Sequence, residues 1–139
     1  MLDLDGTTVP NHPNGMPSQK VVDAIKKAQM KLKVCVVTGR FLFEAEKVLK
    51  ELEIDTPVIL LGGSQILDIK TEKFLFKKYL ETDDVVSILN IVGRYNNPIK
   101  LNKTNVASIY KGNYDNSELA SILITKLSDK QADEIIDKL

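Results

Sequence analysis

Between Ser18 and Leu32, apolar side chains return every three or four positions, at Val21, Val22, Ile25, Ala28 and Leu32. That spacing predicts an amphipathic helix, with the Ser18 hydroxyl capping its first turn. The next apolar run, Val34-Cys35-Val36-Val37, has no such period. A short continuous β-branched run predicts a strand buried on both faces. Helical spacing resumes at Phe41, Ala45, Val48, Leu49 and Leu52, and Pro57 introduces a second buried run, Val58-Ile59-Leu60-Leu61. With the short extended start at Leu2-Asp3, the order is strand, helix, strand, helix, strand. Short connections between them predict an α/β fold with a Rossmann-like parallel sheet and flanking helices. Ligands of such sheets bind at the carboxyl ends of the strands, where Asp3, Thr38 and Gly62 all fall.

The second half has a different pattern. Gln65–Asp68 and Lys73–Tyr79 read as a hairpin turning through Ile69-Lys70-Thr71-Glu72. Thr82 is expected to cap a helix, with Asp83 and Asp84 on its positive end and a stripe of Val85, Val86, Ile88, Leu89, Val92 and Tyr95. Asn96 and Asn97 would end that helix before Pro98. Strands are expected at Val106–Tyr110 and Ala120–Thr125, separated by the polar stretch Lys111–Ser117. Ser128-Asp129-Lys130-Gln131 is a capping box opening a last helix, with Ala132, Ile135, Ile136 and Leu139 apolar.

Chemistry concentrates in Met1-Leu2-Asp3-Leu4-Asp5-Gly6-Thr7. In an extended chain, carboxylates at i and i+2 project from one side. Two like charges this close repel unless a proton or a cation intervenes, and a hard, oxygen-seeking ion such as Mg²⁺ is the natural partner. Gly6 permits a sharp turn or close approach to a ligand, and Thr7 adds a hydroxyl. The plain alternative is an acidic turn after a short strand. Thr38-Gly39-Arg40 is the second candidate site. A hydroxyl and free N–H groups between a strand end and a helix start make a phosphate seat, and the Arg40 fork can grip a phosphate or a carboxylate. A simple strand-to-helix turn would use the same residues. Thr8 to Pro17, with three prolines and Gly15, is loop chemistry, and His12 within it reads as a solvated turn residue.

Composition narrows the function. The 139 residues are 43% hydrophobic, enough for one core and part of another. With 19 basic and 19 acidic side chains the formal net charge is zero, which argues against a broad footprint for nucleic acid or an anionic membrane. No apolar run approaches a membrane span, and no basic-then-apolar signal pattern opens the chain. The single cysteine, Cys35, lies in a β-branched run and reads as a buried structural thiol, so a reducing cytoplasm is the expected location.

The Asp3-Leu4-Asp5-Gly6-Thr7 stretch resembles the first motif of the haloacid dehalogenase superfamily, aspartate-nucleophile phosphatases and phosphotransferases. Thr38-Gly39-Arg40 looks like its second motif, with the Arg typical of the Cof-type branch of mostly sugar- and cofactor-phosphate phosphatases. The resemblance implies that Asp3 attacks phosphorus and that Asp5 is the general acid/base. It implies Mg²⁺ on the Asp3 carboxylate and the Asp5 carbonyl, with Thr38, Gly39 and Arg40 binding substrate phosphate. It also implies that residues 1–79 are the N-terminal part of the core, with the hairpin at 65–79, and that residues 80–139 begin an α/β cap. Gly62-Gly63 departs from the branch's usual Asn-Gly, which bears on substrate details. The motif-three cation and the motif-four acidic pair come after the cap in such proteins, so the chain reads as an N-terminal fragment. Asp83-Asp84 and Asp129/Asp133 could imitate the acidic pair, but both read as helix-capping acids.

The expected function is Mg²⁺-dependent hydrolysis of a small phosphorylated metabolite through an aspartyl-phosphate. The alternatives are a phosphomutase of the same superfamily and a non-catalytic binding domain keeping the fold. The expected partner is a small phosphate ester, with self-association of an incomplete core and no nucleic acid or membrane.

Overall fold

The computed structural model describes residues 1–12, 14–115 and 117–139. Pro13, in the loop expected over Thr8–Pro17, and Asn116, in the polar stretch 111–117, lie outside the described residues. The chain divides into two compact units, Met1–Lys78 and Tyr79–Leu139.

The first unit is built on strands β1 (Leu2–Asp3), β2 (Val36–Val37) and β3 (Val58–Leu60), with helices α1 (Gln19–Gln29) and α2 (Leu42–Glu51) between them. These strands are parallel and adjacent, Asp3 lying opposite Val37 and Val37 opposite Ile59. β4 (Gln65–Asp68) and β5 (Lys73–Lys77) extend the sheet as an antiparallel hairpin, in the order β1-β2-β3-β4-β5. Both crossovers step the same way across the sheet, so right-handed connections put α1 and α2 on one face. The core agrees: Val22 and Ile25 of α1 and Ala45, Val48 and Leu49 of α2 cluster with Leu4, Val36, Val58, Leu60 and Leu67.

The other face explains the departures from expectation. Val37, Ile59 and Ile66 stand opposite one another in register, are only half-buried, and lead to Phe76, which is 45% exposed. The strand expected to be buried on both faces is thus buried on one. It is also shorter than the apolar run, because Val34 and Cys35 lie outside the ladder. Cys35 is half-buried, not a core thiol. Leu32 falls past the end of α1 and is 65% exposed.

The second unit pairs β6 (Ile99–Lys103) with β7 (Ala107–Ile109) on one side and β8 (Leu119–Ile124) on the other, all antiparallel. Helices α3 (Thr82–Val92) and α4 (Asp129–Ile136) supply Val85, Leu89, Val92 and Ile135 to a core with Ile99, Leu101 and Leu119. The Ser128 capping box forms as expected: Ser128 Oγ accepts from Gln131 N (3.3 Å), and Ser128 N donates to Gln131 Oε1 (3.0 Å). Three expectations fail here. Glu81, not Thr82, takes the N-cap position of α3. That helix stops at Gly93, before Asn96, in keeping with the weak helix propensity of glycine. Val86 and Ile136 are exposed, because each unit offers its helices only one buried side, and Leu139 is exposed beyond the end of α4.

The half-open face of the first unit predicts self-association. We expect the purified chain to run larger than a monomer by light scattering, and Phe76→Lys to shift it toward monomer. A sharp monomeric peak that Phe76→Lys leaves unchanged would show that the face is harmless.

Candidate active site

The loop after β1 is wound around one carbonyl. Leu4 O accepts the N–H groups of Thr7 (3.2 Å), Thr8 (2.9 Å) and Val9 (2.9 Å), and Gly6 N donates to Val9 O (2.9 Å). Gly6 sits at φ 78°, the left-handed region where a Cβ is costly. The Leu4 side chain is fully buried and Val9 nearly so, which anchors the coil from below. Asp3 and Asp5, on either side of Leu4, keep their carboxylates out of the core.

Asp3 is held at both ends. Thr7 Oγ1 donates to Asp3 Oδ2 (3.2 Å), and Thr8 Oγ1 donates to the Asp3 carbonyl (2.6 Å). The sequence pattern singled out Thr7 but left Thr8 in the loop. Its burial, 6% exposed, marks it as part of the scaffold. Nothing in residue spacing alone signals that bond.

Thr38-Gly39-Arg40 follows β2 and is tied to the exit of β3. Thr38 N donates to Ile59 O (2.9 Å), Gly62 N to Thr38 O (3.2 Å) and Leu61 N to Arg40 O (3.2 Å). The buried Thr38 hydroxyl accepts from Arg40 N (3.1 Å), forming a tight turn. Gly39 is exposed, and its N–H makes no hydrogen bond among the described contacts. Glu44 Oε2 accepts from Phe41 N (2.9 Å), which fixes the start of α2 directly after the turn.

Arg40 ends on a carboxylate. Its Nε donates to Asp5 Oδ2 (3.0 Å) and Oδ1 (3.2 Å), and Nη2 donates to Oδ1 at 2.6 Å. The remaining donors reach the carbonyls of Glu44 (3.3 Å) and His12 (3.4 Å). The Arg40 side chain is 8% exposed and that of Asp5 35%. The hydrogen bond to Asp5 raises the guanidinium pKa above its ordinary value, against the lowering effect of burial. Such side-on, two-point pairs are strong because both groups are charged and the fork is rigid. His12 contributes through its backbone. Its exposed ring accepts from Asn14 N through Nδ1 (3.2 Å), as a turn residue does.

The site therefore brings Asp3 and Asp5 together with Thr7, Thr8 and Arg40, and the ladder sets Thr38 beside them. Asp83 and Asp84 lie in the first turn of α3 and Asp129 in that of α4, within the second unit. Among the described residues no group of three or more His, Cys, Asp or Glu side chains could hold a metal. Two hard oxygens remain available in the first unit: the Asp3 carboxylate, and the Asp5 carbonyl, which accepts no hydrogen bond among the described contacts. That donor set fits Mg²⁺, which commonly binds one or two carboxylates and completes its octahedron with water and substrate phosphate.

A model of the haloacid dehalogenase-like hydrolase family matches residues 1–138. The stress response protein YhaX of Bacillus subtilis (strain 168) is 30% identical over 101 residues, covering 72% of this chain and 34% of that protein. A solved haloacid dehalogenase-like hydrolase from B. subtilis superposes with TM-score 0.60 at 25% identity, over 73% of this chain and 35% of that one. The subclass IIB sugar phosphatase BT4131 superposes with TM-score 0.75 at 16% identity, over 99% of this chain and 63% of that one, a likeness of fold. The chain thus spans about a third of the curated relative and under two thirds of these solved structures. No helix among the described residues is long and apolar enough to cross a membrane. With a mixed α/β fold, a parallel sheet and a match running nearly end to end, the chain belongs to the haloacid dehalogenase-like hydrolases.

Proposed function

We propose that the first unit carries the nucleophile and the acid/base of a Mg²⁺-dependent phosphatase acting on a small phosphorylated metabolite in a reducing cytoplasm. The observation that carries this reading is the unequal treatment of two neighbouring carboxylates. Asp5 is gripped by Arg40, whereas Asp3 keeps an exposed carboxylate steadied by one hydroxyl. A nucleophile needs a free lone pair, and an acid/base needs a fixed orientation.

In the first step an Asp3 Oδ atom forms a bond to phosphorus as the ester P–O bond breaks, and Asp5, which takes up a proton from solvent beforehand against the pull of Arg40, gives that proton to the departing alkoxide. In the second, Asp5 takes a proton from water as the water oxygen bonds to phosphorus. The Asp3 O–P bond then breaks, releasing phosphate and restoring the carboxylate. Thr38 and the unbonded Gly39 N–H bind the phosphoryl oxygens. Asp3 and the Asp5 carbonyl would hold Mg²⁺, whose chemistry here is to neutralise charge on the phosphoryl group. Arg40 serves this site by fixing Asp5. In this reading residues 1–79 form the catalytic unit and residues 80–139 begin the cap. The sugar phosphatase activity named for BT4131 supports the substrate class.

Beryllofluoride with Mg²⁺ mimics a phosphorylated carboxylate, so it should raise the melting temperature of the chain, and Asp3→Asn should abolish the rise. Absence of any rise in the unsubstituted chain would falsify the enzyme reading. A double-mutant cycle of Asp5→Asn and Arg40→Met should give a coupling of about 1–2 kcal/mol, reduced from a fully buried pair because Asp5 is partly solvated. Turnover of p-nitrophenyl phosphate by this chain should stay near blank, since no third acid joins Asp3 and Asp5 among the described residues. Asp129→Asn should cost only helix stability. Robust turnover lost on that substitution would make Asp129 a metal ligand instead.

A further inference from the structure

The loop after β1 leaves Asp5 and comes back to it through Arg40. Asp5 bridges Val9, which is 3% exposed, so the chain beyond Val9 starts from the same frame as Asp5. Pro10 O then accepts His12 N (2.7 Å), and His12 O accepts Gly15 N (2.8 Å). The same His12 carbonyl accepts Arg40 Nη2 (3.4 Å), and that nitrogen also donates to Asp5 Oδ1 (2.6 Å). The contacts close a ring that runs from Asp5 through Val9, Pro10 and His12 to Arg40 and back. Gly15 fastens it. A Cβ on Gly15 would run into the Pro10 carbonyl oxygen and stand 3.1 Å from that of His12. Resting on the phosphatase reading above, we propose that Gly15 is a positioning residue. Its missing side chain lets the loop close on Pro10, and the closed loop holds the His12 carbonyl where it orients Arg40 toward Asp5.

The donors of the guanidinium show why the carbonyl matters. Five N–H groups lie in one rigid plane, one on Nε and two on each Nη. Nε donates to Asp5, and Nη2 gives one hydrogen to Asp5 and the other to His12 O. Nη1 donates to Glu44 O (3.3 Å). The plane is therefore set by the carboxylate, by the first turn of α2 and by the loop. It cannot turn about the Asp5 contact without losing one of the two carbonyls. Without His12 O, an N–H of a side chain only 8% exposed would lack an acceptor, which is costly in a nearly buried group. Rotation of the fork off its side-on contact with Asp5 would relieve that cost.

Gly15 is where this closure is most easily broken. It is buried, and its φ is not in the left-handed region, so its backbone conformation alone would admit other residues. What excludes a side chain is the close approach to Pro10. A methyl group there must push the loop off Pro10, and His12, which is bonded to both Pro10 and Gly15, moves with it. The exposed His12 ring, bonded to Asn14 N, takes no part. A misplacement of about 1 Å from a change far from the chemistry can cost on the order of 10²-fold in rate. A loop glycine that touches no reacting atom can therefore act on the acid/base.

The test reads Arg40 directly. The chain has two arginines, Arg40 and Arg94, so a ¹⁵N-labelled sample gives two Nε–H signals, with Arg94 of the second unit as internal control. In Gly15→Ala the Arg40 Nε–H should exchange with solvent roughly tenfold faster, as a local opening does, while Arg94 and the core amides of Val22 and Ile25 keep their rates. Beryllofluoride affinity in Mg²⁺ should fall roughly tenfold, the lower end of the usual cost of losing a group that orients a site's ligands. Pro10→Gly, which loosens the same closure without adding an atom, should move both readouts in the same direction, and it decides the matter if Gly15→Ala fails to fold. Asn14→Ala, in the same loop, should move neither. An unchanged Arg40 signal in a folded variant overturns the positioning role alone. So does a loss of beryllofluoride affinity without a change at Arg40, or faster exchange that spreads to the Val22 and Ile25 amides. A silent beryllofluoride response in the unsubstituted chain overturns the phosphatase reading and the positioning role with it.

Discussion

The site depends on a single buried leucine. Leu4 is fully excluded from solvent, belongs to the core cluster, and offers one carbonyl to three successive N–H groups. Moving it would expose apolar surface and release those donors together. Because side chains alternate along an extended segment, burying Leu4 turns Asp3 and Asp5 outward on its two sides. The hydrophobic effect thus sets the direction of the two acids, and hydrogen bonding then sets their distance. Parallel pairing of β1 with β2 brings Thr38 to the same end of the sheet.

Once the acids share a side, electrostatics separates their roles. Two carboxylates and one fixed cation make an unequal pair. Arg40, nearly buried, meets Asp5 with two nitrogens, while Asp3 has only neutral hydroxyl support. Removing Arg40 would leave Asp5 partly desolvated beside another acid. Removing Asp5 would strand a buried guanidinium, the more costly loss of the two because the cation is the more deeply buried partner. This asymmetry ties the stability of the first unit to the geometry of its acids, so changes at Arg40 act on fold and site together.

Much of this was legible from residue order. The two helical patterns, the runs at Val34–Val37 and Val58–Leu61, and the hairpin all locate real elements, because a buried face imposes a period that composition cannot hide. What escaped was local or two-sided. β6, the central strand of the second unit, follows Pro98 as Ile-Lys-Leu-Asn-Lys, and its alternation is too short to stand out from loop. The early end of α3 at Gly93 was masked by apolar Tyr95 beyond it. At the site, the carboxylate pair and the Thr-Gly-Arg turn were visible as residue types. The Thr8 bond and the choice of Asp5 by Arg40 were not, since the first depends on how the loop coils over five positions and the second joins residues 35 positions apart.

The exit of β3 shows where the fold stores strain for the site. Leu61 has φ 50°, Gly62 φ 64° and Gly63 φ 103°, three left-handed residues in succession. Glycines bear this easily, but a leucine does so at a cost of about 1–3 kcal/mol unless its surroundings dictate the conformation. Here they do: the Leu61 side chain is 7% exposed, and its N–H donates to Arg40 O while Gly62 N donates to Thr38 O. The strained turn therefore acts as a backbone clamp on the Thr38-Gly39-Arg40 segment. A Cβ at Gly62 would meet nothing within 4 Å, so the absence of a side chain there is not forced by crowding. Asparagine tolerates left-handed backbone better than most residues, so either residue can satisfy the turn. The Gly62 position governs what side chain faces outward from the loop, whereas the clamp on Thr38 and Arg40 is a property of its backbone.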